Sequence, residues 1–444
     1  MQTQVQSYSG IWKVAYPIFL TLLVQNMIQV VATAFLGRVG EVELGASALA
    51  GIYYIVIFML AFGFSTGSQI LIGRRNGEGQ YGKIGEIVVN GVLFLLSMAL
   101  VLFLFTRFFS EPILSRLLSS EPVLEAALKY LDWRMYGLFF SSINVMFRAF
   151  YIGITRTKVL TVNALLMASV NIFLDYALIF GEFGCPEMGI AGAAIAAIAS
   201  EFVSVLFFVG YTFYAVDFEK YGFRGITLTS FKVITNILSI SLSLMFQYFL
   251  SLGTWFFFFL AIEHLGEKPL AISNIIRSLY MIVAIPIFSL SATANTLVSN
   301  AIGAGKQDEV LPLVWKISRL ALFISMLFIV VILSFPEYVL SVYTDNTSLI
   351  KDSIPSLIVV MSVMPIIALR NVFFSSVSGT GNTKIALYIE IITLLIYVFY
   401  MWLVIRKLQF PLHWCWTSEH VSGGLIFILS FVYLRSNKWR DKKI

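Results

Sequence analysis

Long apolar runs recur along the whole chain, separated by short charged turns that contain glycine. They are too long for strands and too continuous to be the one-sided faces of soluble helices. Residues 92–105, 317–335 and 385–404 are nearly free of charge. With their flanks they approach the roughly 20 residues that cross a hydrocarbon core. About twelve spans fit, at 11–37, 47–73, 84–106, 123–154, 159–181, 189–215, 230–264, 269–302, 312–335, 349–378, 384–406 and 412–434. The pattern predicts an all-α integral membrane protein. The stretch after Trp12 is a full span without a small-residue cleavage site, so it is expected to remain as the first helix.

Composition agrees: 59% of the 444 residues are hydrophobic and 12% are charged, against about 25% charged in soluble domains. Lys and Arg concentrate in one alternate set of loops, with Arg74, Arg75, Lys83, Arg156, Lys158, Lys220, Arg224, Lys232, Lys306, Lys384 and the tail Arg435, Lys438, Arg440, Lys442 and Lys443. Basic loops stay on the cytoplasmic side, so both termini are expected there. The net charge of +6 is then explained by topology, with anionic lipid rather than nucleic acid as its counter-charge. Cys185 and Cys415 are too few for a disulfide framework and wrongly spaced for a metal site. His264, His413 and His420 fall near the outer ends of spans, where a solvated side chain is the simplest reading.

The sequence repeats itself at one offset of 226 residues. Gly40, Glu41, Leu44 and Tyr54 match Gly266, Glu267, Leu270 and Tyr280; Gly77 and Gly79 match Gly303 and Gly305; Thr157 and Lys158 match Thr383 and Lys384. A constant register over some 120 residues divides the chain into two six-helix lobes, 1–222 and 227–444, with the charged stretch 217–224 as linker. Six is even, so the halves are parallel and related by a pseudo-two-fold axis along the membrane normal. Such halves can enclose a central cavity and expose it to each side in turn.

Polar residues inside the spans are expensive and therefore informative. Thr21, Gln25, Gln29 and Thr33 line one face of the first span, and Gln247, Ser251 and Trp255 carry a related stripe into the seventh. These residues serve either as cavity lining or as packing between helices. Asn163, Asn171 and Asp175 share a face of the fifth span. A carboxylate there is expected to be protonated, ion-paired, cation-bound or wet, and a group that loads and releases a cation couples to a gradient. Glu201 in the sixth span is a second coupling candidate, beyond a small-residue face of Gly189, Ala193, Ala196, Ala197 and Ser200. Arg370 and Glu390 are expected at similar depth and hence as a buried pair, and Glu263 with Arg277 as another near the outer face.

Two enzyme-like strings are weak. Gly63-Phe64-Ser65-Thr66-Gly67 fits the serine elbow G-x-S-x-G, but it lies within an apolar helix and no histidine precedes His264. Gly303-Ala304-Gly305-Lys306 lacks the first glycine and the hydroxyl of a phosphate-binding loop. No enzyme activity and no cofactor are expected, beyond a coupling ion.

The chain resembles the multidrug and toxic compound extrusion (MATE) family, in the superfamily that also holds lipid and polysaccharide flippases. The resemblance rests on Pro17; Phe35-Leu36-Gly37-Arg38-Val39-Gly40 with Leu44 and Ala46; Gly77-Glu78-Gly79; Asn171-Ile172-Phe173-Leu174-Asp175; Gly189-Ile190-Ala191-Gly192-Ala193-Ala194; Ile302-Gly303-Ala304-Gly305; and Gly379-Thr380-Gly381-Asn382-Thr383. It implies two six-helix lobes and export of small amphipathic, mostly cationic compounds in exchange for H⁺ or Na⁺. It further implies a coupling role for Asn171 and Asp175, with Na⁺ as one possible occupant there, and a bending role for Pro17.

The chain departs from the family pattern at Ala32, where an acidic residue is expected, and at Ala197, where a threonine is. Acidic positions of some members fall near Ser251 and Ile367. Loss of oxygen ligands weakens the sodium reading most and favours protons. A monomer in the bacterial inner membrane is expected. The alternatives are a flippase for lipid-linked saccharides, which Arg148 and Arg370 keep open, and a non-transporting membrane scaffold.

Overall fold

The computed structural model describes residues 7–118, 120–224, 230–440, 442 and 444. Lys443 and the expected start of the second lobe at 227 lie outside the described residues. Every regular element among the described residues is helical. In chain order these are α1 (Tyr8–Val39), α2 (Glu41–Gly77), α3 (Ile84–Leu117), α4 (Glu121–Arg134), α5 (Gly137–Gly153), α6 (Lys158–Phe180) and α7 (Ile190–Ala215). There follow α8 (Phe231–Glu263), α9 (Glu267–Gly303), α10 (Val310–Ser334), α11 (Pro336–Ser341), α12 (Thr347–Gly379), α13 (Thr383–Trp402), α14 (Leu412–Trp416) and α15 (Ser418–Arg435).

Eleven helical stretches among the described residues are long and apolar enough to cross a membrane. They coincide with eleven of the twelve predicted spans. The remaining one, 123–154, is divided by a turn at Met135 and Tyr136 into α4 of 14 residues and α5 of 17. The two helices together cover that predicted span, in keeping with two bundles of six. A methyl group on Gly137 would overlap the guanidinium of Arg134 and the carboxylate of Glu201, so an ion pair occupies the space beside the turn.

The repeat read from the sequence is also a structural repeat. Helices α2 and α9 each have 37 residues and lie 226 positions apart at both ends. Each is followed by a glycine in the left-handed region, Gly79 at φ 71° and Gly305 at φ 72°. A single 3₁₀ turn comes next, Tyr81–Lys83 in one copy and Gln307–Glu309 in the other. Only glycine enters that backbone region without strain, which accounts for the matched residues at this turn.

Contacts divide the chain into two compact units, one of Leu20–Met245 and one of Met1–Phe19 with Phe246–Ile444. Helices α1 and α8 are therefore each shared. In the first unit Leu36, Ala46, Tyr54, Leu131 and Ile190 form one apolar core. In the second, Ile11 and Ala15 of α1 join Phe258, Tyr280, Phe373 and Trp416 in another. The string Gly63 to Gly67 finds its use in packing. An added Cβ at Gly63 would stand 2.7 Å from the Met245 Cα, and one at Gly67 2.8 Å from the Ser241 Cα. Glycines four apart let α2 and α8 approach backbone to backbone, and Ser65 merely returns its hydroxyl to the Phe62 carbonyl at 2.8 Å.

Loops of the basic set gather at one end of each unit. In the first, the Gly85 amide donates to the Tyr221 carbonyl at 2.8 Å, and Tyr81 meets Tyr221 edge to face. In the second, Arg440 pairs with Asp308 at 2.7 Å. Nearby Trp439 is fully buried and donates from Nε1 to the Leu434 carbonyl at 2.8 Å.

Candidate functional site

Asn163, Asn171 and Asp175 lie on the buried face of α6, which packs along α7. Asp175 is only 1% exposed, and neither of its carboxylate oxygens has a hydrogen-bond partner among the described residues. The Oδ1 of Asn171, one turn earlier, is also without a partner. A carboxylate with no protein donor in an apolar setting satisfies itself by taking up a proton or a cation. The expected alternative, an ion pair, is not formed at Asp175: the buried pair of this unit joins Arg134 of α4 to Glu201 of α7.

That pair is bidentate and sits at the centre of a longer network. Arg134 donates from Nη2 to Glu201 Oε1 at 2.6 Å and from Nη1 to Oε2 at 3.1 Å. Its guanidinium lies 3.9 Å over the ring of Tyr54, whose hydroxyl shares a 2.9 Å hydrogen bond with Ser141. Tyr130 stands within electrostatic reach of both this pair and Asp175. On the other side, Asn144 donates to the Glu201 carbonyl at 3.0 Å and accepts from Ser204 at 2.9 Å. Asn163 donates to Ser204 at 2.9 Å. The network reaches α6 at Asn163, twelve residues before Asp175 and so about 18 Å from it at 1.5 Å per residue. Glu201 is thus already engaged by an arginine.

Gln25, Gln29 and Thr33 are exposed on α1, while Thr21 is buried. The Thr33 hydroxyl donates within its own helix to the Gln29 carbonyl at 2.8 Å. Exposure argues against packing between helices for these three residues. Pro17 lies inside α1, two residues from the point at which the helix passes between units.

In the second unit Ser251, Trp255, Arg370 and Glu390 line one pocket with Thr254, Thr393, Tyr397 and Glu419. The expected Arg370–Glu390 pair does not form. Arg370 meets Glu419 of α15 at 3.6 Å, and Glu390 instead accepts from the Ser251 hydroxyl at 2.6 Å. Equal depth does not fix which way a side chain points around its helix, and α12 packs more extensively on α15 than on α13. The second expected pair is absent too: Arg277 lies 5.1 Å over the Phe259 ring, and Glu263 is 3.5 Å from His264. Gln247 is buried nearby in the sequence, with its Oε1 unpartnered.

Sequence reasoning missed Arg134, Tyr130, Asn144 and Ser204 in the first unit, and Thr393, Tyr397 and Glu419 in the second. Arg134 carried a usable signal, because a charge within a predicted span demands a partner and Glu201 was the available acid. Among the described residues no group of three or more His, Cys, Asp or Glu is placed to hold a metal ion, and Cys185 and Cys415 are free thiols. Both Asp175 carboxylate oxygens and the Asn171 Oδ1 are unpartnered among the described residues.

The sequence model of the family described as MatE matches residues 17–177 and again 243–403, two stretches set apart by the repeat offset. A probable multidrug resistance protein NorM from Thermotoga maritima is 25% identical over 438 residues, covering 97% of this chain and 93% of that protein. Among solved structures, a MOP superfamily transporter from Pyrococcus furiosus, described as having a binding pocket of reversed polarity, superposes with a TM-score of 0.88 at 18% identity. It covers 98% of this chain and 96% of that one. An outward-facing multidrug resistance MATE transporter of the same superfamily gives the same TM-score, 0.88, identity, 18%, and coverage, 98% and 96%.

Proposed function

The chain belongs to the MatE family, and from this membership and the two polar clusters we propose that it is a secondary exporter of small amphipathic cations, working by alternating access. Its relatives support the substrate class, being described as multidrug resistance proteins and transporters. The single observation that carries the coupling mechanism is the state of Asp175, buried at 1% exposure with both oxygens unpartnered, one turn from the unpartnered Oδ1 of Asn171.

In this reading H⁺ is the driving ion. One carboxylate with one amide oxygen holds a proton readily, whereas Na⁺ needs more oxygens than the site offers once Ala32 and Ala197 stand where polar groups are usual. Loading and release require Asp175 to be exposed alternately to the two sides, and Pro17 supplies the hinge. Its ring removes the amide that would bond to residue 13, so α1 can bend there at little cost. The exposed Gln25, Gln29 and Thr33 line the substrate path. The membrane is the bacterial inner membrane, with both termini cytoplasmic, and the chain works as a monomer.

A flippase for lipid pyrophosphates would need guanidinium groups available to phosphate. Arg370 is paired with Glu419 and Arg148 lies 5.0 Å over the Phe62 ring, which favours the exporter.

Proteoliposomes loaded with a fluorescent organic cation test the reading. An imposed pH gradient is expected to drive efflux, a Na⁺ gradient to do nothing, and Asp175→Asn to abolish the driven component while melting no lower than the parent. Efflux that ignores both gradients and survives Asp175→Asn would exclude coupled export.

A further inference from the structure

The 226-residue repeat builds the same step into the basic-loop end of both units. In the second, Gly379 ends α12 against α9: a Cβ on it would stand 2.5 Å from the Asn295 carbonyl oxygen. From Asn295 helix α9 runs on for eight residues to Gly303, about 12 Å at 1.5 Å per residue. In the first, Gly153 ends α5 against α2, its Cβ position 3.3 Å from the Gln69 carbonyl oxygen, and α2 runs on for eight residues to Gly77. The last two turns of α2 and of α9 therefore stand beyond the helix packed on them. In each unit the chain that leaves α7 or α15 folds back across this step.

The two crossings are built differently. In the first unit Tyr221 is 4% exposed and meets Tyr81 and Phe150 edge-on at 5.9 and 5.7 Å. Gly222, at φ 69°, lies so near Gly82 that a Cβ on it would fall 2.0 Å from that residue's carbonyl oxygen. Backbone is sealed on backbone there. In the second unit the buried indole of Trp439 is the fixed point, and what lies beyond it is held by side chains. Gln307 donates from Nε2 to the Arg440 carbonyl at 3.1 Å, and the Arg440 guanidinium meets Asp308 at 2.7 Å. The Asp308 side chain is 87% exposed, and Arg440 Nε is buried with no partner among the described residues. Glu309, the neighbouring acid, is taken by Lys306 at 3.4 Å. Ile444 rests on Gly381 of the α12–α13 turn, at φ 88°, where a Cβ would stand 2.9 Å from the Ile444 Cδ1. It lies four positions after Arg440, a reach of up to about 14 Å for extended chain, which matches the height of the step.

We propose that the tail beyond Trp439 is a releasable latch across this step, closed by the Arg440–Asp308 ion pair and opened when anionic lipid headgroups or dissolved ions compete for that pair. An exposed ion pair is weak and screened by salt, whereas a buried indole and backbone packed on backbone are not. The first unit's crossing is therefore permanent and the second unit's is not. Closed, the latch ties the α9–α10 turn to the α12–α13 turn and so steadies the ends of four helices. Open, it leaves the last two turns of α9 unsupported on that side, while Trp439 keeps the tail within reach to close again. Lys438, Arg440 and Lys442 give the tail three positive charges to offer a negative membrane surface.

Hydrogen exchange on the full chain in lipid nanodiscs, read by mass spectrometry, tests this. The readout is the Gly381 amide, which donates to the Ser378 carbonyl at 2.9 Å and exchanges when its turn opens. In phosphatidylcholine at about 0.05 M NaCl, Asp308→Asn is expected to speed that exchange about two- to fivefold, the range of an exposed ion pair, although Asp308 lies on the other turn. Asp308→Arg combined with Arg440→Asp should restore it. The parent protein is expected to show the same gain at about 1 M NaCl, where the Debye length is about 3 Å, and again when about a third of the lipid is phosphatidylglycerol; Asp308→Asn should gain nothing further from either. The Gly85 amide of the first unit, held by the Tyr221 carbonyl, should not move in any arm. Gly381 exchange that ignores both Asp308→Asn and salt would overturn the latch, as would a folded charge-swapped protein that stays fast. Equal gains at Gly85 would mean general loosening and overturn it too, and a salt effect without a phosphatidylglycerol effect would overturn opening by lipid. The salt and lipid arms use the parent protein, so a poorly folded variant does not blunt the test.

Discussion

Arg134 and Glu201 face each other through two parallel hydrogen bonds of 2.6 and 3.1 Å, inside an apolar bundle and with little access to solvent. Removing one member leaves the other charged and buried. Arg134→Met or Glu201→Gln is therefore expected to cost about 3–5 kcal/mol. The double replacement Arg134→Met with Glu201→Leu should recover most of it, because the desolvation of both ions disappears together. Thermal unfolding in detergent of the two singles and the double gives the coupling energy directly.

Gly137 supports the same pair by having no side chain. Gly137→Ala should push Arg134 off Glu201 and lower the melting temperature as Arg134→Met does, despite alanine's better helix propensity. Gly210→Ala in α7 has open space around it and should leave the protein as stable or up to about 1 kcal/mol more so. A comparison of the two melts, with no shift in Gly137→Ala, would refute the steric account.

Where α2 meets α8 the contact is backbone, which cannot rotate aside. Gly63→Ala is expected to destabilise by about 1–3 kcal/mol, as overpacked cores do. Ser65→Ala should leave both the melt and any transport unchanged, since its hydroxyl serves only its own helix. Loss of function in a normally folded Ser65→Ala protein would revive the serine of the G-x-S-x-G string.

Beyond α15 the tail folds back, and Trp439 is its anchor. Trp439→Ala is expected to cost about 3–5 kcal/mol through the cavity it leaves. Limited proteolysis should then find the residues after Arg435 newly accessible.

The spans were legible because charge and glycine punctuate them, and because lipid demands that the apolar run continue from turn to turn. Gly79 and Gly305 show how far this reaches: a 226-residue offset in letters is also a shared left-handed turn. The partners of buried charges were not legible. Arg370 and Glu390 share a depth, yet Glu419 takes the arginine, because the direction of a side chain around its helix comes from lateral packing. Arg134 escaped notice through its position at a helix break, which the hydrophobic pattern passes over without a mark.

Helix α1 passes from one compact unit to the other between Phe19 and Leu20, and α8 does so between Met245 and Phe246. One unit is the continuous stretch Leu20–Met245, and the other is assembled from two separated pieces of chain. A cut within the turn at 217–224 would give two fragments, each carrying a length of helix that belongs in the other's core. Such fragments have the relation of partners in a domain swap. Produced together, they would be expected to assemble by exchanging those lengths; produced singly, each would keep an apolar slot with nothing of its own to fill it.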